Sequence, residues 1–364
     1  MTWLAVCDRV DRRFSLRGLG IDKQPNAVLT EGPDTRLTRG TVMFETRLSA
    51  DARPQVLFGY KRTHPATRSM VFQAIPGGGI AMVQVQGDAI CHAAVYQKGS
   101  GRTDVVRITY SWDVDKAWGR ITLEKPEETQ LTSALVDRPL ALSLEDIRDL
   151  MLGRSGATFA SDMVFAGLSD QIEAVGPMPT LLPGTPIATP WGYHAARTLK
   201  RGDTVWTRDD GVVPVLQRIT RTVPARGSFR PIRLRAPYFG LQQDIIVSPD
   251  QRLLIDGPEV EYLFGKEAVL VPARHLVNGF AAMKEPCGPT ICYTQLLLPR
   301  HETLLAAGTS VESLYIGRIR RSKEQLNSSL MRSLDRALLP EHPGPAHYVL
   351  RWYDAIHLAR QRAA

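Results

Sequence analysis

The sequence predicts a mainly β protein: an N-terminal antiparallel β-sandwich of jelly-roll type, a second all-β domain, and a short helical tail. Three observations predict it. Short alternating apolar runs recur through residues 1–137 and again through 180–317, separated by Gly, Pro, Asp and Ser clusters. A Pro/Gly-marked stretch between them ends Val-Gly-Pro-Met-Pro-Thr at 175–180 and reads as a stiff, extended connection. From residue 322 the apolar spacing lengthens to about four, the helical period.

The elements follow in order. Strand-like runs are Val42–Leu48, Val56–Tyr60, Met70–Ile75, Ile80–Val85, Ile90–Tyr96, Val105–Trp112 and Arg120–Glu124. The turns between them fall at Pro-Gly-Gly-Gly 76–79, Gly87-Asp88 and Gly99-Ser100-Gly101. Ser143-Leu-Glu-Asp146 opens a short helix with a capping-box pattern, and Gly153 stops it. The expected layout is a sandwich over 1–153, a linker over 154–179, a second β domain over 180–317 and a helical tail over 318–364. Further strands are expected at 231–235, 244–247, 252–255 and 293–298, and helices at Ser322–Leu338 and Val349–Arg360, interrupted by Pro340, Pro343 and Pro345.

Composition narrows the function classes. With 364 residues the chain is long enough for two full cores, and 43% hydrophobic content is that of an ordinary globular protein. No apolar run reaches membrane-spanning length, and Asp8 and Arg9 interrupt the N-terminus too early for a secretory signal. The expected location is therefore the cytoplasm, or outside the cell by a route that needs no cleaved signal peptide. Residues 1–179 carry equal numbers of acidic and basic side chains, so the net charge of +8 belongs to 180–364, with Gly-Arg-Ile-Arg-Arg-Ser-Lys at 317–323 prominent. Without an interleaved aromatic motif this basic run reads as a solvated face, not a nucleic-acid site. Cys7, Cys91, Cys287 and Cys292 form no Cys-x-x-Cys pair and read as free thiols, although a bridge between Cys287 and Cys292 would close a short loop.

The most informative stretch is 180–211. It reads Gly-Thr-x-Ile-x-Thr-x-x-Gly from Gly184 to Gly192, then Leu-x-x-Gly-Asp-x-Val-x-Thr from Leu199 to Thr207. Three more segments follow: Val-Ser-Pro-Asp-Gln-Arg-Leu-Leu-Ile at 247–255, Val-Leu-Val-Pro-Ala-Arg-His-Leu-Val at 269–277, and Leu-Leu-Leu-Pro-Arg-His-Glu at 296–302 with Gly308-Thr309 and Glu312-Ser-Leu-Tyr315 behind it. Together these resemble the Hint domain, the self-processing module of hedgehog proteins and inteins, and in particular a bacterial Hint subgroup. The resemblance covers about 180–317.

The resemblance implies an acyl shift. A side-chain nucleophile attacks the preceding carbonyl, and a His from a Ser-Pro-x-His segment protonates the leaving nitrogen. Here Thr180 stands at the nucleophile position and Gln251 at the acid position, with Gln295 where many subgroup members have a further His. Ser248 and His301 complete the candidate set. Threonine lacks a thiolate, and a carboxamide delivers no proton. The resemblance thus implies a Hint domain with degenerate self-processing chemistry, kept as an interaction or carrier module. Two alternatives stay open: self-cleavage between Pro179 and Thr180 by an N-to-O shift, and recognition of a carbohydrate or surface by the N-terminal sandwich. His275 and Asp203 read as structural.

Other constellations are weaker. Asp113-Val-Asp115 begins like a calcium loop but lacks the later ligands. Tyr110, Trp112 and Trp118 are candidates for stacking on sugar. No cofactor and no metal is expected, and the partner is open between another protein and a surface glycan.

Overall fold

The computed structural model describes residues 3–20, 32, 35–48, 53–64, 66–96, 105–126 and 131–363. The turn expected at Gly99-Ser100-Gly101 lies outside them. The chain divides into two compact units, Met1–Val175 and Gly176–Ala364. Both are mainly β.

The N-terminal unit is a two-sheet antiparallel sandwich. Its strands are β1 (Trp3–Cys7), β2 (Arg12–Phe14), β3 (Arg39–Arg47), β4 (Gln55–Arg62), β5 (Arg68–Ile75), β6 (Gly79–Gln86), β7 (Ala89–Tyr96), β8 (Val105–Asp113), β9 (Trp118–Glu124), β10 (Leu131–Asp137), β11 (Ala157–Phe159) and β12 (Met163–Ser169); helix α1 (Leu144–Leu152) lies between β10 and β11. One sheet has the order β10-β9-β8-β3-β12-β1-β2 and the other β11-β4-β5-β6-β7. Phe44, Phe58, Phe72 and Tyr110 meet in the core between them, with ring centroids 5.0 to 6.0 Å apart along the chain Phe58, Phe44, Phe72, Tyr110. All seven strand-like runs named above are strands.

Residues 154–179 are not a bare connection. They supply β11 and β12, and β12 pairs with both β1 and β3, inside the seven-stranded sheet. Its sequence, Met-Val-Phe-Ala-Gly-Leu-Ser, is buried almost throughout, which is why it shows no polar alternation. The sandwich also includes Glu173, whose carboxylate accepts from Ser169 Oγ at 2.8 Å and whose N–H donates to Thr41 Oγ1 at 2.9 Å.

Helix α1 ends at Gly153, which is left-handed with φ 68°. Its start differs from the capping box: Ser143 occupies the N-cap without a side-chain bond. Asp146 is buried and accepts instead from Arg68 Nε at 2.6 Å and pairs with Arg62 Nε at 2.9 Å. Two guanidinium groups from β4 and β5 outcompete the helix's own N–H groups.

The C-terminal unit contains β13 (Pro186–Thr189), β14 (Gly192–Ala195), β15 (Thr204–Trp206), β16 (Val212–Pro214), β17 (Gln217–Pro224), β18 (Ile232–Leu234), β19 (Ile245–Val247), β20 (Arg252–Asp256), α2 (Pro258–Phe264), β21 (Ala268–Pro272), β22 (Ala282–Lys284), β23 (Thr290–Leu297), β24 (Thr303–Ala306), β25 (Thr309–Glu312), α3 (Lys323–Ser328), β26 (Tyr348–Val349) and α4 (Trp352–Ala363). Its main sheet runs β14-β13-β24-β25-β20-β21-β26; the pair β17-β23 and the trio β19-β18-β22 stand apart from it. Gly192 and Gly202, the two motif turns, have φ of 101° and 92°, a region that a side chain makes costly.

The tail belongs to this unit. The helix expected over 322–338 shrinks to α3, capped by Ser322, and a 3₁₀ turn at Arg336–Leu338. Asn327, Ser328 and Ser329 end it, the serine hydroxyls bonding back to carbonyls of Gln325 and Leu326. Ile319, Leu326, Met331 and Leu339 pack with Ile219, Leu297 and Leu314, while β26 pairs in parallel with β21. Leu350, Ala355 and Leu358 join the main core of the unit.

Candidate active site of the C-terminal unit

The chain enters the C-terminal unit clamped on both sides. Leu181 exchanges backbone bonds with Thr294 on β23 (3.1 and 2.7 Å), and the Ser248 N–H donates to the Thr180 carbonyl at 2.7 Å. This clamp fixes Thr180 between β23 and the turn that leaves β19. The Ser-Pro-Asp-Gln turn then brings Gln251 against it, with Gln251 N–H donating to the Ser248 carbonyl at 3.0 Å.

Thr180 Oγ1 donates to Gln251 Oε1 at 2.6 Å, across 71 residues of sequence. Gln295 Nε2, projecting from β23, stands 3.1 Å from Thr180 Oγ1, 3.1 Å from Gln251 Oε1 and 2.7 Å from the Glu312 carbonyl. Gln251 Nε2 donates to the carbonyls of Arg252 (2.8 Å) and Glu312 (3.2 Å). All three side chains are buried, at 9%, 1% and 2% exposure for Thr180, Gln251 and Gln295. The cluster is a neutral network in which one buried acceptor, Gln295 Oε1, has no hydrogen-bond partner. The threonine hydrogen points at an amide oxygen, a far weaker base than imidazole or carboxylate, and the amides donate to carbonyls.

Ser248 and His301 sit differently. Ser248 holds the turn: its Oγ accepts from the Asp250 N–H at 3.4 Å, and its backbone holds Thr180 and Gln251. The structure therefore gives its side chain a turn contact, not a contact with Thr180. His301 lies at the far end of Glu312. Its Nε2 is 2.9 Å from Glu312 Oε1, which also accepts from Arg252 Nη1 at 2.7 Å. Its Nδ1 accepts from the Ala346 N–H at 2.9 Å, which fixes the neutral ring as the Nε2–H tautomer. Glu312 thus touches Gln251 and Gln295 through its carbonyl and His301 through its carboxylate.

Two participants gave no usable signal in sequence. Glu312 was visible only as part of a motif. His342, in the Pro-rich tail, packs 5.7 Å from His301 ring to ring; its Nδ1 accepts from the Ile316 N–H and its Nε2 donates to the Leu298 carbonyl, both at 3.3 Å. Burial, and then the charge of a protonated His301, lower the His342 pKa to about 4. Burial likewise raises the carboxyl of Glu302, which neighbours His301 in sequence. His275 falls to about 4 through burial and the adjacent Arg274 charge.

Elsewhere, Tyr110 and Trp112 are fully buried and stacked on each other at 5.4 Å, so neither offers a face to sugar. Aromatic residues two apart on a strand share a face, and here that face is the core. Asp113 is buried against Lys116, accepting from its N–H and pairing with its Nζ at 3.1 Å. Cys7, Cys91, Cys287 and Cys292 form no disulfide among the described residues. Among the described residues no group of three His, Cys, Asp or Glu side chains stands where it could share a metal ion, and no helix is long and apolar enough to cross a membrane.

Comparison with known proteins agrees with the motif reading. Residues 179–318 match the family model of the Hint domain. This stretch of the chain is a Hint domain. Among solved structures the chain is similar to the MchDnaB-1 intein, at 14% identity over 37% of this chain and 98% of the intein, with a TM-score of 0.25. It is also similar to the CBM40 domain of a Ruminococcus gnavus IT-sialidase, at 12% identity over 47% of this chain and 91% of that domain (TM-score 0.27), and to the LG1-3 region of laminin α2, at 8% identity (TM-score 0.25) over 78% and 54%. A search of curated proteins finds no match.

Proposed function

We propose that the Hint domain of this protein has lost self-processing and serves as an interaction or carrier module for the chain. The observation that supports this reading is the Thr180–Gln251–Gln295 network, in which Thr180 Oγ1 donates to Gln251 at 2.6 Å and Gln295 donates to both. An N-to-O shift at Pro179–Thr180 needs a base for the hydroxyl proton and an acid for the leaving nitrogen. Neither glutamine supplies either. Losing general acid help alone costs about 10²–10⁴ in rate. The threonine hydroxyl, with no thiolate form, attacks more slowly still. His301, engaged by Glu312 and Ala346, has its own partners.

The test restores the two missing groups. Thr180→Cys supplies a nucleophile with a thiolate fraction, and Gln251→His supplies a proton near neutral pH. The double variant should cleave partially before residue 180 with dithiothreitol present, and each single variant should cleave less. Partial recovery is expected because Gln295 still occupies the third corner. Fragments are identified by mass, and circular dichroism confirms that each variant is folded. Equal cleavage in all folded variants, or cleavage elsewhere, would remove Thr180 and Gln251 from the site.

A further inference from the structure

The smaller sheet of the N-terminal unit is apolar on both faces. Phe72 on β5 and Met82 on β6 point into the core. Their neighbours along each strand point the other way. A sandwich sheet usually turns polar side chains outward. Here the register sets Val71 opposite Val83, and Ala81 opposite Ala94, on the outer face. Val85 and Ile90 form a further pair beside them. Val83, Ile90 and Tyr96 are 41%, 67% and 62% exposed. Of the outward residues described on β4 to β7, Lys61 is the one Lys, Arg, Asp or Glu. A contiguous exposed apolar face of this kind marks an interaction surface.

The face has relief. Val71, Val83 and His92 make one ridge across the strands. Ile75 and Tyr96 make a second one: a side chain placed at Gly79, which lies between them, would fall 2.8 Å from both Ile75 Cγ1 and Tyr96 Cδ1, so the two side chains close over the glycine. Between the ridges runs a row of Gln73, Ala81 and Ala94, whose two alanines leave a furrow.

We propose that this outer face packs against the same face of a second copy of the chain, giving a two-fold dimer of apposed sheets. A two-fold contact has to be complementary to itself. A furrow flanked by ridges meets that condition, because each copy's ridge of Ile75 and Tyr96 can enter the other's furrow. Interdigitation of this kind is how two sheets pack about 10 Å apart. The size is also suitable. Strands about 4.8 Å apart, rising about 3.3 Å per residue, give β4 to β7 a flat footprint of roughly 500 Å² per copy. Side-chain relief enlarges the accessible area beyond that, past the roughly 400 Å² a side of chance contacts and towards the roughly 800 Å² a side of a standard stable interface. Scarcity of charge suits it as well, since charged residues are depleted at the centre of interfaces. The surface is built wholly from the N-terminal unit and is independent of the Hint chemistry.

Sedimentation velocity of the full chain across the micromolar range, at low and at high salt, tests this. The wild type should show a reversible monomer–dimer equilibrium that added salt does not weaken, because little charge is there to screen. Val83→Arg should weaken dimerisation about tenfold or more, since it buries a charge without a partner. Should that variant unfold, Ile90→Arg, more exposed and on the same face, gives the same reading. Tyr262→Arg, on α2 of the other unit and 82% exposed, should dimerise like wild type. The proposal is overturned by a wild type that stays monomeric throughout, whatever glycan or other protein it then binds. It is equally overturned by a dimer that salt dissociates, by a folded Val83→Arg or Ile90→Arg protein that dimerises like wild type, or by a loss in Tyr262→Arg as large as theirs.

Discussion

At the residue scale the decisive feature is the meeting of three neutral side chains from distant segments of the C-terminal unit. Thr180, Gln251 and Gln295 are near neighbours of one another in a buried pocket, and every contact among them is a neutral hydrogen bond. The network is incomplete at Gln295 Oε1, a buried acceptor without a partner, and an unsatisfied buried group of this kind costs about 1–3 kcal/mol. The titratable groups of the domain lie one layer out, around Glu312, and His342 is the most buried of them. Its folded pKa of about 4 is below its ordinary 6.5, so the unfolded chain binds more protons in between. The stability this contributes is complete above pH 6.5 and declines as pH falls towards 4, by about 3 kcal/mol in all. Urea midpoints at pH 7 and pH 5 should therefore show a clear acid loss for wild type and a smaller one for His342→Asn. His275, shifted the same way, leaves a residual slope in the variant. An identical loss in both proteins would mean that His342 is not buried as a neutral ring.

At the element scale β12 decides where the first unit ends. It lies between β3 and β1, so a chain stopped at residue 153 lacks an inner strand of the larger sheet. Expressed alone, residues 1–153 should be insoluble or unfolded, whereas 1–175 should give a cooperative melt; a well-folded 1–153 fragment would contradict the pairing. β5, β6 and β7 were legible because their side chains alternate between core and surface, which writes period two into the sequence. Met163–Ser169 and Trp3–Cys7 were not, because burial on both faces erases the alternation. Proline and glycine on either side of 163–169 then made the region look like a linker. The tail helix was overread for the opposite reason: apolar spacing fits a helix through 338, but Asn327-Ser328-Ser329 offers the backbone competing bonds and stops it at 328.

At the scale of the whole molecule two β units share one chain, and the candidate chemistry belongs to the second. The motif segments lie far apart in sequence, and it is their order that made Thr180 and Gln251 readable as neighbours. Turn glycines and Ser-Pro pairs carry that signal because they constrain backbone geometry locally. The contacts of His301 were not readable, because its partners come from Glu312 and from Ala346 in the tail, and no local pattern links them. The account turns on whether the bond between Pro179 and Thr180 survives in the natural chain. Intact-mass spectrometry of the purified protein, held for hours at neutral pH with and without hydroxylamine, measures this directly. The full-length mass should persist with little material ending at Pro179; rapid appearance of that fragment, abolished in Thr180→Ala, would contradict the account and establish self-cleavage instead.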